Sequence, residues 1–473
     1  MHHRLENDKN HIRQLLEKVT EQSAAYVASL DNRPTSIDID APDNSLDLPQ
    51  DGVGAAATLA LFNQRFEPHM VASSGPRYWG FVIGGTTPAS LIGDWLASAY
   101  DQNTQTIDGQ GDVSARVELE TINLLLDLFH LPRDVFLGGF VTGATMSNFT
   151  CLGVARQWYG HQLGRDFAKD GVNQTLNILS ATPHSSAIKA LSMLGIGSRN
   201  IIQVESLPED REAMDVADLR RKLNRLDGQP GVVIASAGTV NTVDFDDFMA
   251  IHQLKSEFSF WLHVDAAFGG FAACSDNHRH LLDGWEHADS ITIDCHKWLN
   301  VPYDSAVFLV RQQHRNHQVA TFQNSNAAYL GDPMQQFNYL NLLPENSRRF
   351  RALPAWFSLQ AYGSDGYQEI VHRCIELAQH LSDQIERSEH FRLIGPTRLN
   401  NLCFTLKANF ESDEAFESGV TKFLDELNST GKVFMTPTRL GGISGIRCSL
   451  VNWTTDKKDV DLVFELMCSI AGG

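Results

Sequence analysis

The sequence predicts an α/β protein, a mostly parallel sheet covered on both faces by helices and followed by a smaller α+β unit. Two observations carry this. Between about residues 115 and 310, short apolar runs alternate with amphipathic helical segments, as in a sheet buried on both sides. After Pro354 the order changes to a helix pair, two strand-like runs and a closing helix.

The first element is a helix over residues 10–30, where Ile12, Leu15, Leu16, Val19, Ala24, Val27 and Leu30 recur at helical spacing. An acidic stretch over 37–51 follows. Its aspartates lack the glycine and terminal glutamate of an EF-hand loop, so it reads as a solvated linker. A glycine-rich segment over 81–88 then leads into a helix over 89–100. Helical spacing recurs over 117–129, 147–163, 186–194, 216–226 and 247–257. Strand-like runs at 176–179, 201–204, 232–235, 260–264, 290–293 and 306–310 alternate with them. Past Pro354, helices are expected over 356–362 and 367–387, strands at 402–406 and 446–450, and a last helix near 458–470.

A chain of 473 residues outgrows a single hydrophobic core, so two or three domains are expected. Hydrophobic residues make up 42% and charged residues 20%, enough apolar material for those cores. A net charge of -19 argues against nucleic acid and anionic membranes as partners, since both would repel it. The seven cysteines are scattered and form no C-x-x-C pair, which fits free thiols in a reducing cytosol. The polar N-terminus carries no signal-peptide pattern, and no apolar run reaches the roughly 18 residues of a membrane span. A soluble cytoplasmic protein is expected.

Ligands of open α/β sheets sit at the carboxyl ends of the strands, and the chemically interesting residues gather there. His184 follows the 176–179 run, Thr239 follows 232–235, Asp265 ends 260–264, and His296-Lys297 follows 290–293. Taken singly, each is an ordinary loop or turn residue; their shared edge is the signal. A lysine beside a buried strand can act as a Schiff-base amine, and a neighbouring carboxylate can partner a pyridinium nitrogen. The pair suggests pyridoxal 5′-phosphate. His184 would lie against the ring, and Gly143-Ala-Thr-Met-Ser-Asn148 opens a helix whose positive end suits a phosphate. His263 and Asp265 form an H-x-D pair without a third metal ligand, so no metal is expected. The reading requires the Lys297 amine and the Asp265 carboxylate to share one cavity.

The segments His263-Val-Asp-Ala-Ala-Phe-Gly-Gly270 and Asp294-Cys-His-Lys-Trp-Leu-Asn-Val-Pro-Tyr-Asp304 resemble the pyridoxal-phosphate-dependent group II decarboxylases. That family includes the aromatic-amino-acid, glutamate, cysteine-sulfinate and diaminobutyrate decarboxylases, and the resemblance spans roughly residues 50–460. It implies a type I pyridoxal-phosphate fold with a helical dimerising segment over 1–86. A large seven-stranded domain over 87–353 and a small domain over 354–473 would follow. It also implies a homodimer with active sites at the interface. Residue by residue, Lys297 matches the Schiff-base lysine, Asp265 the ring-nitrogen partner and His184 the histidine stacked on the ring. Ala144 and Thr145 match the phosphate-binding pair, Thr239 the position near the ring hydroxyl, Ala267 the small residue under the ring, and His296 the histidine before the lysine. Asp294 stands where several relatives have a phosphate-contacting asparagine, so that role is not carried over.

The stretch 337–351 resembles the family's mobile catalytic loop, which places Tyr339 as the tyrosine that protonates the substrate carbon after carbon dioxide leaves. Simple decarboxylation of an L-amino acid to its amine is therefore expected. Tyr78, Trp79 and Phe81 make an aromatic substrate the first choice. An acidic or diamino acid is the alternative, with Arg77 as the cationic pocket residue. An aldehyde-forming oxidative decarboxylase is another. An aminotransferase holding a carboxylate through Arg447 and a cofactor-binding scaffold without activity are the remaining possibilities.

Overall fold

In a computed structural model, which describes residues 1–37, 46–106, 112–209, 211–323, 337–408 and 410–472, two β-sheets organise the chain. The larger has seven strands: β1 (Phe136–Val141), β2 (Ile178–Ser180), β3 (Ile201–Gln203), β4 (Gly231–Ser236), β5 (Phe260–Asp265), β6 (Ser290–Ile293) and β7 (Ala306–Arg311). Their order is β1-β7-β6-β5-β4-β2-β3. The strands β2 to β6 pair in parallel, and β7 runs antiparallel to both β1 and β6. Every residue of β4, β5 and β6 is buried, which is why these strands read as apolar-rich runs.

The six central runs expected from the sequence all appear as strands, with ends shifted by a residue or two. One further strand, β1, precedes them, its apolar pattern diluted in the sequence by Gly138 and Gly139. The smaller sheet has the order β10-β11-β9-β8, formed by β8 (Phe391–Leu393), β9 (Asn401–Leu406), β10 (Thr436–Leu440) and β11 (Ile443–Ser449). Its two edge strands escaped the sequence reading. β8 is three residues long, and β10 carries Pro437 and polar residues that only an edge tolerates. The expected helix pair is present within Ala352–Arg387, its two helices parted by a kink at Gly363, whose φ of 59° only glycine adopts without strain.

At the N-terminus, helices His3–Asn10, Ile12–Ser29 and Ala55–Arg65 bury no residue. Leu5, Ile12, Leu16, Val19, Val27 and Phe62 are exposed on them, so the amphipathic face seen in the sequence has no cover among the described residues. The 37–51 linker falls largely outside the described residues. Further on, the chain passes directly over the Lys297 loop. The Gly84 N–H donates to the His296 carbonyl at 3.3 Å, and any side chain at Gly84 would strike the Lys297 backbone. Among the described residues, no helix is long and apolar enough to cross a membrane.

Candidate active site

A cavity of about 680 Å³ opens at the carboxyl ends of the parallel strands, a usual size for a small-molecule site. Lys297, Asp265, His184, Thr239, Ala267, His296, Ala144 and Thr145 all line it. The lysine and the carboxylate therefore share one cavity, as the sequence reading required. Each is delivered by strand-end geometry: Asp265 is the last residue of β5, and Asp294 to Lys297 turn out of β6.

His184 is the N-cap of helix Ser185–Met193. Its Nδ1 accepts the Ser186 backbone N–H at 3.2 Å and lies 2.7 Å from the Ser186 hydroxyl. With Nδ1 acting as acceptor, the ring proton sits on Nε2. Burial lowers the His184 pKa from its ordinary value, partly opposed by the nearby Asp265 carboxylate, so the ring is neutral near pH 7.

Asp265 accepts the Asn148 amide at 3.0 Å through one oxygen and the Ala267 N–H at 3.3 Å through the other. The helix Ala144–Gln162 begins at the cavity wall with no side-chain cap, leaving its positive end for an anion. An amine, a carboxylate, a neutral histidine and an uncapped helix start around one cavity suit an aldehyde-bearing pyridine with a phosphate. The residues present fit pyridoxal 5′-phosphate.

Thr239 is in place, but its hydroxyl is engaged. It donates to Glu212 at 2.7 Å and accepts the Asp244 N–H at 2.9 Å. His296 accepts the Ser305 N–H at Nδ1, which turns Nε2 to within 3.0 Å of Asp294. Through its other oxygen, Oδ2, Asp294 is also 3.5 Å from the Lys297 amine. It faces its two basic neighbours and still lines the cavity.

Three expectations need correction. Tyr339 does not line the cavity. It is wholly buried, its hydroxyl donates to the Gly138 carbonyl at 3.2 Å, and its ring lies under the Arg348 guanidinium. Arg77 points elsewhere, paired with Asp459 and bonded to the Lys432 carbonyl, so the cation in the cavity wall is Arg447. Of the three aromatics at 78–81, Trp79 is core and Tyr78 stacks on Phe434; only Phe81 reaches the cavity. Sequence reading also missed Glu212 in the wall, which sits in no recognisable motif, and did not single out Val82 within the glycine-rich 81–88 segment.

The family model described as the pyridoxal-dependent decarboxylase conserved domain matches residues 49–407. The chain belongs to that family. It is a pyridoxal-phosphate-dependent amino-acid decarboxylase with the type I fold. Among relatives, this decarboxylase is 27% identical to an aromatic-L-amino-acid decarboxylase of Bacillus atrophaeus, over 98% of this chain and 97% of the other. A phenylacetaldehyde synthase of Petunia hybrida is 24% identical over 85% of this chain and 81% of its own. In structure it resembles Oryza sativa TDC with PLP and tryptamine, with a TM-score of 0.88, 23% identity and 98% coverage of both chains. Mouse CSAD is similar too, with a TM-score of 0.87, 21% identity, and 98% of this chain and 99% of the other covered.

Proposed function

We propose that this decarboxylase converts an aromatic L-amino acid to its amine and carbon dioxide. The observation that carries the reading is the single cavity shared by the Lys297 amine, the Asp265 carboxylate and the neutral ring of His184. Pyridoxal 5′-phosphate, when bound, supplies an electron sink for the bond that loses the carboxylate. Lys297 is the amine that would hold its aldehyde carbon, and Asp265 keeps a proton at its ring nitrogen. The backbone N–H groups of Ala144 and Thr145 would meet its phosphate. His184 would pack against the ring of the bound cofactor and Ala267 would leave room for it, while Thr239 closes the wall beside Glu212. Phe81 offers an aromatic surface to the substrate side chain, and several similar proteins are named for aromatic substrates.

A second reading follows from Arg447. A guanidinium in the cavity wall suits a substrate with an acidic side chain, and mouse CSAD is among the structural relatives. Incubating the purified protein and cofactor with each common amino acid, and assaying amine, carbon dioxide, aldehyde and peroxide, separates these outcomes. Turnover of tryptophan, tyrosine or phenylalanine to amine is expected; exclusive use of an acidic or diamino acid, or aldehyde with peroxide, would replace the reading.

We also propose that the decarboxylase is a cytoplasmic homodimer. The uncovered apolar faces of the three N-terminal helices support a second copy as their occupant. Sedimentation at micromolar concentration should give twice the chain mass, and substituting Ile12 and Leu16 by glutamate should yield monomers.

A further inference from the structure

Behind the cavity, one side chain touches the supports of two cofactor-facing residues. Asn148 lies in the first turns of helix Ala144–Gln162 and is wholly buried. Its Nδ2 is 3.0 Å from Asp265 Oδ2 and 3.0 Å from Ser186 Oγ. Its Oδ1 accepts from His263 Nε2 at 2.8 Å and from the Thr292 hydroxyl at 3.0 Å. A carboxylate only accepts, so the amide cannot be flipped, and every polar position of the group is in use.

The directions of these bonds propagate. Ser186 Oγ accepts from Asn148, which turns its own proton toward His184 Nδ1 at 2.7 Å and leaves the imidazole proton on Nε2. On the other side, burial holds the His263 pKa down at about 4, so His263 is a neutral ring. Its Nδ1 is 2.9 Å from Ser290 Oγ, and the Trp261 indole N–H donates to that same oxygen at 2.9 Å. The indole hydrogen bond leaves the Ser290 proton for His263 Nδ1, and the remaining ring proton for Asn148. The amide is thereby held from behind while it holds two groups in front.

We propose that Asn148 is a positioning residue whose one amide group fixes the Asp265 carboxylate and, through the Ser186 hydroxyl, steadies the His184 ring whose tautomer the Ser186 backbone N–H already sets. This rests on the reading of Asp265 as the ring-nitrogen partner and His184 as the ring-packing residue. The two hydrogens of Nδ2 act on opposite requirements of the site. One holds a charge where a ring nitrogen would meet it, and the other, through the Ser186 hydroxyl, steadies the His184 ring.

The test uses the full-length protein freed of cofactor, with two probes: pyridoxal 5′-phosphate and its 1-deaza analogue, in which C–H replaces the ring nitrogen. Wild type should bind the natural cofactor more tightly. Asn148→Ala should weaken pyridoxal 5′-phosphate by about tenfold, as for a lost bond to a charged group, while changing the analogue by less than about twofold. Nitrogen-15 spectra of the histidine rings should show His184 as an Nε2–H tautomer in wild type, with its Nδ1 resonance shifted in Asn148→Ala as the Ser186 hydroxyl bond to it loosens. Ser186→Ala, a milder change, should shift the same Nδ1 resonance and leave the preference between the two probes intact. Equal weakening of both probes by Asn148→Ala, or an unchanged His184 ring in both variants, overturns the proposal. A wild type that binds both probes equally instead overturns the assignment of Asp265 on which it stands.

Discussion

The Arg348 guanidinium lies 2.6 Å from the Glu118 carboxylate, with both side chains completely shielded from solvent. The pair grips the end of β1 from both sides. Glu118 accepts the Phe140 N–H at 2.8 Å, and Arg348 donates to the Phe140 carbonyl at 2.7 Å and the Thr104 carbonyl at 3.2 Å. Three residues later the chain enters the helix start that faces the cavity, so this ion pair sets the strand that carries it. Arg348→Met should cost about 3–5 kcal/mol, because a buried carboxylate is left without its partner. Urea unfolding of the cofactor-free protein measures this. A loss under about 1 kcal/mol would mean the pair contributes as little as a surface one.

Lys297→Ala should leave the protein folded and unable to retain cofactor after borohydride reduction, whereas wild type keeps it covalently. Mass spectrometry of reduced, digested protein reads the outcome. A cofactor fixed to another lysine would remove Lys297 from its role.

Tyr339→Phe should keep amine formation close to wild type and lower stability by about 1 kcal/mol, the usual worth of one buried hydrogen bond. Burial pushes its hydroxyl pKa well up, so in place it is a poor proton donor or acceptor. No tyrosine lines the cavity among the described residues, and Tyr329 lies outside them. Tyr329→Phe is therefore the informative companion. Loss of amine output in Tyr339→Phe, with Tyr329→Phe unaffected, would restore Tyr339 to the chemistry.

His263 makes stability depend on pH. Its folded pKa, held at about 4 by burial, lies below the ordinary value of 6.5. Between those values the unfolded chain binds a proton that the folded ring refuses. Stability from this group is thus complete above pH 6.5 and declines as pH falls toward 4. From pH 7.5 to 5 the decline amounts to about 2 kcal/mol. His263→Gln should show a pH difference smaller by that amount, even if its absolute stability is lower. Identical pH slopes in the two proteins would count against a neutral buried ring.

Much of this decarboxylase was legible in the chain because its information is local. A strand buried on both faces is mostly apolar, and in an open α/β sheet ligand-bearing residues stand at or just past its carboxyl end. Asp265 after Phe260-Trp-Leu-His-Val and Lys297 after Ser290-Ile-Thr-Ile could therefore be read directly. What the sequence settled by itself was the sheet, the shared edge and the residues standing on it.

The tertiary structure decided which side chains reach the cavity. Tyr339, Arg77 and Trp79 carry suitable chemistry in suitable segments, yet packing sends them to the core or to partners elsewhere. Glu212, Arg447 and Asn148 carry weak or no local signals, yet they meet at the cavity and behind it. The physical reason is one of distance. Asn148 and Asp265 are 117 residues apart along the chain, and no local pattern records a hydrogen bond that forms only when a helix packs across a sheet.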